Sequence, residues 1–146
     1  MAKQVTEADK ASPPQVRLAC RLRKKTHGRA AHSPTAGEVE LENMSSEVLE
    51  IEFRMSRLQY LNLIVTDAKG RVISEGHYGD IFSPMAEPST WRLQPGEKYI
   101  GPASLLGNVP EEKIMPGEYT VQAVFEYKDL RAVSEPFHLR LKGKDE

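Results

Sequence analysis

The run "IMPGEYTVQAVFEY", residues 114–127, decides the fold. Its second half alternates, with Tyr119, Val121, Ala123 and Phe125 on one side and Thr120, Gln122 and Glu126 on the other. That period of two is the mark of a strand buried on one face. Ahead of it stands Met115-Pro116-Gly117-Glu118. Proline at the second position fixes φ near about −65° and glycine at the third accepts positive φ, which is what a type II turn demands. The same Pro-Gly-Glu recurs at Gln94-Pro95-Gly96-Glu97, between "TWRL" and "KYIGPASL". The run after the first turn soon loses its alternation to Gly and Pro, so the two turns read as two corners of one unit rather than as a duplication.

Working outward, "VRLACRLRK" puts Val16, Leu18, Cys20 and Leu22 on one face and Arg17, Arg21 and Arg23 on the other. "EVELEN" sets Val39 and Leu41 against Glu38, Glu40 and Glu42. "EVLEIEFRM" sets Leu49, Ile51 and Phe53 against Glu50, Glu52 and Arg54; a helix competes here because Leu49 and Phe53 lie four apart, but the strict alternation favours a strand. "QYLNLIVTDAKGRVIS" reads as a hairpin with Leu61, Leu63 and Val65 inward, Gly70 taking the left-handed position of a bulged loop, and a return strand through Val72 and Ile73. "AVSEPFHLRLK" turns Phe137, Leu139 and Leu141 inward, and Pro136 makes it start or bulge there, or lie at an edge. The tally is all-β: about 7–8 short strands with turn signals every 8–12 residues or so, and no convincing amphipathic helix. Layer logic makes this an immunoglobulin-like antiparallel β-sandwich. In such a sandwich a Tyr just after the turn that opens the penultimate strand is the tyrosine corner, and Tyr119 is the candidate.

Composition bounds the rest. The chain has 146 residues, enough for one domain with a proper core, and a formal charge of −1 that favours neither nucleic acid nor an anionic membrane. Residues 1–14 have the composition of a disordered tail, 15–142 form the domain, and 143–146 are a charged end. No apolar stretch reaches the roughly 20 residues of a membrane span. The N-terminus has no apolar signal core, so a native start at Met1 implies a cytoplasmic protein. The single cysteine, Cys20, has no partner for an internal disulfide, and no Cys/His cluster has zinc spacing.

Three features could carry function. Arg17, Arg21, Arg23, Lys24 and Lys25 form a basic run that could contact nucleic acid or phosphate; the plainer reading pairs the arginines with glutamates across a strand ladder. No aromatic residue interleaves that run, which counts against single-stranded nucleic acid. The segment "GHYGDIFSPMAEPST", residues 76–90, is long and without period, and such loops are often functional. His77, Tyr78, Ile81, Phe82, Pro84, Met85 and Pro88 are its candidate protein-binding residues. Trp91, the only tryptophan, reads as a core residue; exposed beside Phe82 and Met85 it would instead be an interface anchor. His77 and Asp80 alone make a poor metal site, and His27, His32 and His138 stand beside no nucleophile signature. Neither catalysis nor a cofactor is expected.

The order of these signals resembles the BsuPI-type intracellular proteinase inhibitors, from about residue 37 to 141. The resemblance lies in "LENMSSEVLEIEF", "LNLIVTDAKGRVI", "LQPGEKY" and "IMPGEYTVQAVF". It implies an Ig-like sandwich and inhibition of an intracellular serine protease. No inhibitory residue can be carried over, because the matching stretches are strands and turns. The expectation is therefore a non-catalytic module that binds another protein through its loops, inhibiting a serine protease by laying an extended stretch such as "IFSPMAEPST", residues 81–90, in its cleft as an added strand. The alternatives are an accessory domain that docks a partner or a second copy through its charged sheet and, more weakly, nucleic-acid binding by the basic strand.

Overall fold

The computed structural model describes residues 18–25, 33–54, 56–75 and 87–143. Among these residues are nine strands: β1 (Leu18–Lys24), β2 (Ala36–Asn43), β3 (Leu49–Phe53), β4 (Leu61–Asp67), β5 (Ser89–Leu93), β6 (Lys98–Ser104), β7 (Gly117–Tyr127), β8 (Leu130–Val133) and β9 (Phe137–Leu141). Their only helical piece is a 3-10 turn at Glu111–Lys113. All pairings are antiparallel. One sheet runs β1-β2-β6; a second has β4 on one side of β7 and both β8 and β9 on the other; β3 and β5 form a two-stranded ribbon. This is the all-β, Ig-like architecture that the alternation implied.

Most of the inward residues read from the periods form the core; Leu22, Phe53, Phe137 and Leu141 are half-buried against it, and Val16 lies outside the described residues. Val39, Leu41, Leu61, Leu63, Val65, Val121, Ala123 and Phe125 have no accessible surface, and Tyr119, Leu49, Ile51 and Trp91 are buried with them. Each large apolar side chain buried this way contributes about 1.5–3 kcal/mol. Register alternates large with small across the β4–β7 pair: Phe125 faces Leu61 and Ala123 faces Leu63. "LEIEF" is a strand, as the alternation favoured, with Leu49 and Ile51 buried and Glu50 and Glu52 exposed.

Two local readings change. The last run is two strands, Leu130–Val133 and Phe137–Leu141. The buried Ser134 gives its N–H to the Ala123 carbonyl (2.8 Å) and its hydroxyl accepts the Ala123 N–H (2.9 Å), so β7 keeps its bonds while the partner strand breaks ahead of Pro136. The return of the β4 hairpin is no strand but a single bridge, Thr66 to Val72, with Val72 exposed and Ile73 buried. Its loop is set by Asp67, whose Oδ1 accepts the N–H groups of Lys69 and Arg71 (2.9 Å each), with Gly70 at φ 82°.

The two Pro-Gly-Glu motifs also differ. At the first, Gly96 has φ 79° and Glu97 N–H reaches the Gln94 carbonyl (2.9 Å), a closed turn of the type II kind. At the second, Gly117 has φ 148°, outside that geometry, and already pairs with Leu141 in the sheet. Here the turn's work falls to Tyr119. Its hydroxyl donates to the Met115 carbonyl and accepts the Met115 N–H (2.9 Å). That is the tyrosine corner.

Candidate functional site

The charged face of the β1-β2-β6 sheet follows from its register. Arg21 lies opposite Glu40 and Arg23 opposite Glu38. Arg21 Nη1 reaches Glu40 (2.6 Å) and Glu42 (2.9 Å); Arg23 reaches Glu40 (3.0 Å) and Glu38 (3.4 Å); Lys25 Nζ lies 4.0 Å from Glu38. Lys24 Nζ turns to the Ser33 carbonyl (3.3 Å). Arg17 lies outside the described residues. Arg21, Arg23 and Lys25 are thus held by carboxylates and Lys24 by a carbonyl rather than massed as a patch, and cross-strand pairs of this kind contribute about 0.2–1 kcal/mol each. Burial works to raise the Glu40 pKa, but hydrogen bonds from Arg23 and Arg21 outweigh it and hold the carboxyl below its ordinary 4.5. The hydrogen bonds that Arg21 donates, chiefly to Glu42 and Glu40, raise its pKa.

An acid prediction follows. A carboxyl with a depressed folded pKa stabilises the fold fully above its unfolded value, and the contribution is lost as pH falls through the folded one. Stability should therefore decline as pH drops below about 4.5. Asp67 adds in the same direction, because the Arg71 amide, ahead of the Lys69 amide and the Arg71 guanidinium, holds it down. Glu40→Gln should flatten the dependence in urea titrations run at successive pH values. An unchanged slope would assign the acid sensitivity elsewhere.

The inner face of β1 is chemically quiet. Cys20 is buried, and desolvation, opposed weakly by Arg21, pushes its thiol up to about 11. At neutral pH it is no nucleophile. Among the described residues no group of three or more His, Cys, Asp or Glu could hold a metal ion. No described helix is long and apolar enough to cross a membrane.

The ribbon and the corner carry the remaining features. Trp91 is buried and meets Tyr99 edge-on, ring centroids 5.1 Å apart, while the Arg57 guanidinium covers Phe53, Trp91 and Tyr99 at 5.5, 5.7 and 5.7 Å. Trp91 is therefore a packing residue under a cation lid. Between the β4 hairpin and the Tyr119 corner lies an open cleft of about 530 Å³, where Val72 and Met115 are each more than 60% exposed. Lys69, Arg71, Lys113, Glu112 and Glu118 rim it.

Of the candidate loop, His77, Tyr78, Ile81, Phe82, Pro84 and Met85 lie outside the described residues, as do His27, His32 and Asp80; Pro88 is described and exposed. Both stems of the segment are placed. Before it, Ile73 N–H bonds Val65 (2.9 Å), Glu75 N–H bonds the Asn108 carbonyl (2.7 Å), and the Glu75 carboxylate pairs with Lys113 Nζ (3.0 Å). After it, Ser89 enters β5 opposite Phe53.

The residue the sequence reading passed over is Asn43. It is fully buried at the end of β2, and its Nδ2 donates to the carbonyls of Glu47 (2.7 Å) and Leu93 (2.8 Å). Its Oδ1 accepts the N–H (2.9 Å) and hydroxyl (2.7 Å) of Ser45. Its backbone N–H and C=O bond Glu97 and Gly96 of the first Pro-Gly-Glu turn. The spacing Asn43-x-Ser45 was the available signal, since Asn commonly accepts the amide two residues on.

Fold and tyrosine corner together define an Ig-like sandwich. A family model described as intracellular proteinase inhibitor, BsuPI, matches residues 23–130, and the chain belongs to that family. No curated protein matches it. Membership brings a non-catalytic role, an intracellular setting and a proteinase as the kind of partner.

Proposed function

We propose that this chain, a single sandwich over residues 15–142, inhibits a serine protease of the cytoplasm by presenting the segment between Glu75 and Ser89 to its active-site cleft. Membership of the inhibitor family supports the activity. The observation that carries the surface is the fixing of both stems. Glu75 is held by Asn108 and Lys113, and Ser89 by the β3–β5 register, so the intervening sequence, with Tyr78, Ile81, Phe82, Pro84 and Met85, is tethered at both ends to packed elements. A tethered segment loses less freedom on binding, which favours affinity. The charged sheet makes a weaker docking surface, because Arg21 and Arg23 already pair with Glu38, Glu40 and Glu42.

Replacing residues 76–86 by a Gly/Ser link should weaken inhibition of a subtilisin-like serine protease at least about 100-fold, the loss of a central anchor cluster. The melting temperature should hold. Full inhibition by that variant would move the inhibitory surface elsewhere.

A further inference from the structure

The β3–β5 ribbon has two outer edges, and one residue fixes the backbone phase of both. Glu52 donates its N–H to the Tyr127 hydroxyl (3.2 Å), and its carbonyl accepts from the Tyr60 hydroxyl (2.7 Å). The N–H and C=O of one strand residue leave on the same side. In an antiparallel pair, residues that exchange bonds alternate with residues whose groups point away from the partner. Glu52 pairs with Thr90 and Glu50 with Arg92, so Thr90 and Arg92 turn their N–H and C=O groups to the far edge of β5. Ser89, Trp91 and Leu93 are the residues bonded to β3.

The two edges are treated differently. Tyrosine hydroxyls close the β3 edge at Glu52. Among the described residues nothing pairs with the backbone of Thr90 or Arg92. Open edges are usually blunted by proline, inward charge or a covering loop. Here Thr90 and Arg92 are exposed, and the Arg92 side chain is drawn across the ribbon to Glu50 (2.6 Å). An edge unpaired among the described residues, on a family whose partner is a proteinase, has a natural occupant, because proteinases recognise extended backbone by main-chain hydrogen bonds and an added strand is a common mode of capture.

We propose that the outer edge of β5, through the backbone of Thr90 and Arg92, docks an extended segment of the target proteinase as an added strand. This rests on the inhibitor reading above. Thr90→Pro tests it, since that substitution removes an outward N–H without touching the bonds to β3. With a subtilisin-like serine protease, inhibition by Thr90→Pro should weaken about tenfold, the worth of one backbone bond and its stranded partner. The second measurement needs no variant. In the wild-type chain the amides of Thr90 and Arg92 should exchange freely alone and slow on complex formation with a protease whose nucleophilic serine is replaced by alanine. Protection of both amides supports the edge even where Thr90→Pro does not fold. A complex in which both amides still exchange freely overturns it and leaves the inhibitor reading standing; failure of the wild-type chain to bind the protease overturns both.

Discussion

Asn43→Ala should lower the unfolding free energy by about 3 kcal/mol or more, a fall in melting temperature of about 10 °C. Asn43 is fully buried, and its amide serves four groups: the carbonyls of Glu47 and Leu93, and the N–H and hydroxyl of Ser45. Alanine strands all of them around a small void, and each buried group left unpaired costs about 1–3 kcal/mol before relaxation. Asn43→Asp should be no milder, because it keeps the acceptor toward Ser45 but turns a carboxylate oxygen against two carbonyls. Urea titration of each variant checks both. A loss below about 1 kcal/mol would mean that the β2–β3 break is held by something other than this network.

Tyr119→Phe is the second large effect, expected at about 1–3 kcal/mol. The ring stays in the core, so the change isolates the hydroxyl, which satisfies both the N–H and the C=O of Met115. Because Gly117 does not adopt the type II geometry, no closed turn stands behind the hydroxyl to take over. The midpoint in urea should fall while the slope stays unchanged, the sign of lost stability in an unaltered fold. Gly96→Ala offers a comparison at the other Pro-Gly-Glu turn, where the cost arises instead from placing a side chain at φ 79°.

How much of this was legible beforehand depends on the range of the interactions. Alternation reports which side of a strand meets the core, and every inward residue read on β2, β4 and β7 is buried. Identical Pro-Gly-Glu triplets did not report their own geometry, because that is set by partners elsewhere. The first is bonded to Asn43, far upstream, and the second is replaced as a turn by a tyrosine two residues beyond its glycine. Asn43 and Ser134 carry no sequence mark of burial, since a buried polar side chain differs from an exposed one only in what surrounds it. The charge blocks were readable as ladder partners but not in their register of Arg21 with Glu40 and Arg23 with Glu38. For the site, sequence marks residues 76–90 as long and aperiodic. That Glu75 is tied to Lys113, 38 positions away, and that Thr90 lies on the edge of β5 away from β3 are properties of the folded chain.

Inhibition itself is the claim on which the surfaces depend. The most direct measurement is a titration of the full chain into a fixed, active-site-counted amount of a subtilisin-like serine protease, following residual peptide hydrolysis and the integrity of the chain. The expected result is a fall in hydrolysis that ends near one chain per protease, with the chain intact. Undiminished hydrolysis at several-fold molar excess, with the chain cleaved as a substrate, would contradict it.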